Sequence, residues 1–169
     1  MTKASHSDNA FETIATLFRH NAWANMRLFD VCAGLTEAQL ASKITGTYGS
    51  IRETLQHIVT AERSYLQRIT TGKPYRRPEG SPPLTMAEMQ ASIRASGEGL
   101  VTAAPLVQAQ DRVEVLWEGV PNAIPCAILL TQAINHATEH RAQITATLTQ
   151  IGVTPPDIDG WTFFRSLER

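Results

Sequence analysis

Phe11, Ile14, Leu17, Phe18, Leu28, Phe29, Cys32 and Leu35 recur at the spacing of one helix face, because residues three and four apart share a side of the α-helix. The pattern predicts a first long helix from about residue 8 to Ala33, stopped by Gly34. Asn21 and Asn25 fall within that stripe, and amides on a buried face must find hydrogen-bond partners.

"TEAQ" at 36–39, "SIRE" at 50–53 and "TMAE" at 85–88 have the form in which a hydroxyl and a Glu or Gln three residues on cap a helix start reciprocally. The first predicts a short helical turn. The second opens a long helix whose Ile51, Leu55, Ile58, Tyr65, Leu66 and Ile69 share one side and which ends near Thr71-Gly72. Glu62 falls in the middle of that stripe. "GKPYRRPEGSPP", with four prolines and two glycines, reads as an exposed loop, long because the helices it joins run parallel.

The third long helix extends to about Ala104, weakened by Gly97 and Gly99. "DRVEVLWEGVPNA" alternates Val113, Val115 and Trp117 with polar neighbours, a short extended excursion. Pro125 stands where a first-turn proline belongs, and helical spacing then runs to Ile151, with Gly152 as the stop. "VTPPDIDGW" breaks it, and "WTFFRSL" forms a last short helix. Four long helices without heptads or repeats predict an all-α fold, a four-helix bundle with one crossover between the second and third helices.

The 169 residues correspond to a single domain, residues 1–169, long enough to bury a core without staples. With 15 Lys and Arg against 16 Asp and Glu, the net charge of −1 offers no general attraction to nucleic acid or acidic membranes. The N-terminus lacks the apolar run of a signal peptide, and no window approaches the roughly 18 apolar residues of a membrane span; a cytoplasmic protein is expected. Cys32 and Cys126 lie far apart within apolar helical patterns, which makes them packing residues rather than a disulfide or a zinc knuckle.

Chemistry enters with "INHATEHRAQI", residues 134–144, where His136 and His140 stand four apart. At about 100° per residue, Leu129, Ala133, His136, His140, Gln143, Ile144 and Thr147 share a face. Imidazoles at i and i+4 stack one above the other and can converge on one ion. The plain alternative is two groove histidines, each bonded to a neighbour. A third ligand would have to come from His6, on a tail before the first helix, from His20 or from His57. The last two flank their helices' stripes, and periodicity does not choose between them, although small Thr54, Ala61 and Ser64 leave room beside His57. The five residues His-Ala-Thr-Glu-His also match the inverzincin pattern. Those peptidases are much larger and draw a carboxylate ligand from well downstream, so this reading carries little weight; the zincin pattern fails because Ala137 stands where its glutamate belongs.

Taken together and in this order, "HNAWANMRLFD", "SIRETLQHIVTAERSYLQRI", "INHATEHRAQI" and "IGVTPPDIDGWTFF" resemble the DinB/YfiT-like family of small helical proteins. The resemblance runs through nearly the whole chain. It implies a four-helix bundle, usually a homodimer, that holds a divalent metal with three side chains, here His57, His136 and His140; His20 is then structural. The family includes bacillithiol-using thiol S-transferases, mycothiol-dependent isomerases and many members with no assigned reaction, and no motif here selects among them.

Three neutral imidazoles with an open position are the arrangement of a catalytic metal. Zinc or nickel suits the donors best, with iron or manganese next. The favoured expectation is a metal-dependent transferase in which a low-molecular-weight thiol, bound as thiolate, attacks a small electrophile. The alternatives are a non-catalytic metal-stabilised bundle, a small-ligand-binding protein of a stress response and, more remotely, a metal-dependent hydrolase. Glu62 is expected to be buried against a partner such as Arg141, while Gln143, Asn21 and Asn25 either orient the histidines or satisfy one another. Trp23, Trp117 and Trp161 are expected to pack or to form dimer contacts. No general acid or base can be named from the residues.

Overall fold

All three capping boxes close in both directions. In the computed structural model, which describes residues 6–168, the hydroxyls of Thr36, Ser50 and Thr85 accept the amides of Gln39, Glu53 and Glu88, whose side chains accept the cap amides in return. They start helices α2 (Glu37–Leu40), α3 (Ile51–Thr71) and α4 (Met86–Ala103). Helix α1 runs His6–Ala33, α5 runs Cys126–Gln150 and α6 runs Gly160–Leu167. Helix α1 thus includes His6, expected before it; the side chains of residues 6–9 and of Trp117 lie outside the described residues. Gly72, at φ 71°, ends α3 with its amide on the Arg68 carbonyl, the left-handed stop that glycine adopts without strain.

The described residues are mostly helical, with four long helices among them around a shared core. The Leu84 amide, just before α4, donates to Gln56 near the start of α3 at 2.9 Å. Further along, Ser96 meets Glu62. The pairs advance together, so α3 and α4 run parallel and the segment between them crosses over, as its length implies. Gln90 of α4 reaches Asp30 of α1 while Gly97 faces Ala22, the reversed order of antiparallel neighbours. Leu28, Phe29, Leu55, Ile58, Met89, Ile93, Ile144 and Leu148 fill one end of the core, each such burial being worth about 1.5–3 kcal/mol against exposure. Cys32 and Cys126 are free thiols inside apolar clusters.

An all-α reading needs correction. Strands β1 (Arg112–Trp117) and β2 (Val120–Pro125) form an antiparallel hairpin closed by the Trp117–Val120 pair. Glu118 and Gly119 both take positive φ, 51° and 82°, the backbone form that lets a two-residue turn follow the strand twist. Pro125 belongs to β2 rather than to the first helical turn. The first stripe is also narrower than its spacing implies. Phe18 is buried, whereas Phe11, at the helix's outer end, and Leu17, about 100° around from Phe18, are exposed. Among the described residues no helix is long and apolar enough to cross a membrane.

Candidate metal centre

The face of α5 that projection singles out packs against α3. There His57, His136 and His140 each present a ring nitrogen, all three within 4.8 Å of one another. Nε2 of His57 and Nε2 of His136 are 2.8 Å apart, and the ring of His140 stands at 88° to His57 and 71° to His136. Burial first, then the neighbouring His140 and His57, pushes His136 down to about 4; burial and His140 likewise lower His57. Depressed values keep these rings neutral at neutral pH, the form that offers a lone pair to an ion. The donor set therefore fits a divalent cation that accepts imidazole nitrogen.

Around the triad lie two side chains of different origin. Gln143, one turn beyond His140, places Oε1 at 3.0 Å from His140 Nδ1 and at 3.1 Å from the backbone amide of Tyr48. The Tyr48 ring stacks on His57, centroids 4.1 Å apart and planes at 17°, and meets His140 edge-on. Sequence reasoning passed over Tyr48. The available signal was an aromatic residue between Gly46 and Gly49 immediately before a capping box. Beside the triad a groove of about 510 Å³ is lined by Tyr48, Glu53, Gln56, His57 and Thr60, so His57 stands next to space that a small molecule can enter. The Tyr65 ring meets His136 edge-on, with centroids 6.0 Å apart.

His20 stands apart from this cluster. Its Nε2 lies 3.0 Å from the Ile158 carbonyl oxygen, and its ring meets Phe163 of α6 edge-on, with Trp23 against the same phenyl ring. Both residues fasten the C-terminal segment to α1. Trp161, by contrast, is 77% exposed.

Behind the triad a buried polar layer spans four helices. Glu62 Oε2 accepts from Asn21 and Asn25 at 3.2 and 2.8 Å, and its Oε1 accepts from Ser96 at 2.8 Å. Arg141 Nη1 donates to the Oδ1 atoms of the same two asparagines, both at 2.7 Å, and Nη2 to Thr138. The asparagines thus serve the Glu62–Arg141 pair and not the histidines. Burial pushes the Glu62 carboxyl up to about 7, against the opposing pull of its three donors and of Arg141. Gly97 makes room for this layer, since a Cβ there would meet Ala22 Cβ at 2.9 Å with Glu62 Oε1 just beyond.

The fold recurs in solved structures. A DinB-like protein from Bacillus cereus ATCC 10987 matches with a TM-score of 0.61 at 23% identity, covering 83% of this chain and 92% of the other. Another, from Bacillus subtilis, matches with a TM-score of 0.62 at 14% identity over 85% and 97%. No curated protein matches the chain. The model of the DinB family matches residues 5–168, which is almost the entire sequence, and the chain therefore belongs to the DinB family.

Proposed function

We propose that His57, His136 and His140 bind one divalent metal ion, with zinc or nickel preferred, and that the site is catalytic. The observation that carries this reading is the convergence of three imidazole nitrogens within 4.8 Å, one of them on His57, which lines a groove. Three protein ligands leave a coordination position for a small molecule, unlike the closed set of a structural site. In our reading the four long helices form a four-helix bundle, with the site between its second and fourth long members.

The proposed reaction is transfer of a low-molecular-weight thiol to a small electrophile. When bound, the ion supplies Lewis acidity that stabilises a thiolate at neutral pH. The sulfur lone pair forms the new C–S bond, the leaving group departs with its bonding electrons, and the thiol proton passes to solvent. The histidines contribute neutral donor nitrogens. Tyr48 and Tyr65 lie against them, and in the groove beside His57 the side chains of Gln56 and Thr60 offer polar contacts to the incoming molecule. A panel of thiols and electrophiles assayed with metal-loaded and metal-stripped protein tests the assignment: conjugation that depends on the ion supports it, and none with any pair refutes it.

A non-catalytic, metal-stabilised bundle is the second reading. The buried Glu62–Arg141 layer and the apolar core favour the first, because they already tie α1, α3, α4 and α5 together without an ion. We also propose a homodimer. Trp161, Phe164 and Leu167 are exposed along one side of α6, and an apolar strip of that kind is suited to a subunit contact. Light scattering that gives a dimer mass for the wild type and a monomer mass for Trp161→Glu supports it; a wild-type monomer refutes it.

A further inference from the structure

Gln143 Oε1 faces two nitrogens at once, the Tyr48 backbone amide at 3.1 Å and His140 Nδ1 at 3.0 Å. A backbone amide can only donate, so the Gln143 atom opposite it must be the carbonyl oxygen and not the amide nitrogen. The same oxygen can only accept. His140 Nδ1 must therefore carry its hydrogen, and in the neutral ring the lone pair then sits on Nε2. No comparable constraint holds between His57 and His136. Their Nε2 atoms are 2.8 Å apart, so one of them carries the hydrogen and must pass it to its own Nδ1 before both rings can offer Nε2 lone pairs to an ion.

The other half of the contact concerns Tyr48. It lies in the segment between α2 and α3, where Gly46 has φ 88° and the Thr47 hydroxyl bonds the carbonyls of Ile44 and Gly49. Tyr48 is 57% exposed, yet its ring stacks on His57. The bond from its Tyr48 amide to Gln143 ties this segment to α5, alongside the edge-on contact of its ring with His140.

We propose that Gln143 is a positioning residue that fixes His140 in its metal-ligating tautomer and, with the same oxygen, holds Tyr48 over His57, so that metal affinity and the order of the Tyr48 turn depend on one side chain. The inference rests on reading the triad as a metal site. Carbonyl and carboxylate partners of ligating histidines tune metal affinity by about 10- to 100-fold in general, and here the backbone amide determines which end of the partner does so.

The test compares wild type, Gln143→Leu and Gln143→Glu, the last keeping an acceptor oxygen at the same reach. Side-chain 15N NMR of the metal-free protein reads the His140 tautomer, hydrogen exchange reads the Tyr48 amide, and chelator competition reads the affinity for Zn2+ and Ni2+ separately. Gln143→Leu is expected to lose the Nδ1–H signature, expose the Tyr48 amide and weaken metal binding about 10- to 100-fold, while Gln143→Glu restores all three. A Gln143→Leu protein that stays folded and keeps both its tautomer and its affinity overturns the proposal alone. A wild-type chain that binds neither ion overturns the metal reading and this proposal together. Affinity lost equally in the leucine and glutamate variants also overturns it, since shape rather than the acceptor would then be responsible.

Discussion

Glu62 and Arg141 are joined through Asn21 and Asn25 rather than by a direct ion pair: each asparagine donates its amide to the carboxylate and accepts from the guanidinium. The relay lets two buried charges satisfy four helices at once. It also places Arg141 next in sequence to His140 and Glu62 on the helix that carries His57, so the layer sets the spacing of the two elements that supply the triad.

Arg141→Met tests how much the layer contributes. It leaves two asparagine oxygens without their donor and Glu62 without its countercharge. Breaking a buried pair by removing one member costs about 3–5 kcal/mol. Thr138→Val, at an exposed partner of the same guanidinium, is expected to cost less than about 1 kcal/mol. Chemical denaturation of both variants measures the contrast.

The Glu62 carboxyl supplies a pH signature. Its folded pKa of about 7 stands above the ordinary 4.5, so between those values the folded state holds a proton that the unfolded state has released. Stability from this group is therefore greatest below about pH 4.5 and declines as pH rises through 7, by about 3 kcal/mol in all at roughly 1.4 kcal/mol per unit. Glu62→Gln cannot ionise. Its stability relative to wild type is expected to improve as pH rises across that window, and a pH-independent difference would contradict the assignment.

Gly97→Ala sets helix propensity against packing. The alanine gains about 1 kcal/mol in the helix, but its Cβ would come within 2.9 Å of Ala22 Cβ, and overpacking of this kind costs about 1–3 kcal/mol. A net loss of about 1 kcal/mol in denaturant unfolding is expected. In Ala22→Gly the same substitution is expected to lose less, because the opposing methyl is gone.

Where local chemistry decided the structure, the sequence was legible. Each capping box names its own helix start, the proline-rich segment signals a crossover by its length, and two histidines four apart announce a shared face. The partner strand of the hairpin was not, because Pro121 and Pro125 disguise β2 and its turn is Glu-Gly instead of the commoner Asn-Gly. Leu17 looked like part of the stripe because a list of apolar positions does not show how wide the neighbouring helices' cover is. Tyr48 and the relay through Asn21 and Asn25 depend on contacts between segments far apart in the chain. Periodicity shows that an amide is buried, and not which group it meets.

The proposed chemistry requires the triad to take up a metal. Elemental analysis of protein purified without added metal, with His57→Ala, His136→Ala and His140→Ala beside it, is the direct measurement. About one divalent ion per wild-type chain is expected, with loss of the ion in each variant while circular dichroism and the melting temperature change little. A wild-type chain without bound metal, even after incubation with zinc or nickel, or one whose metal content is indifferent to all three substitutions, would contradict it.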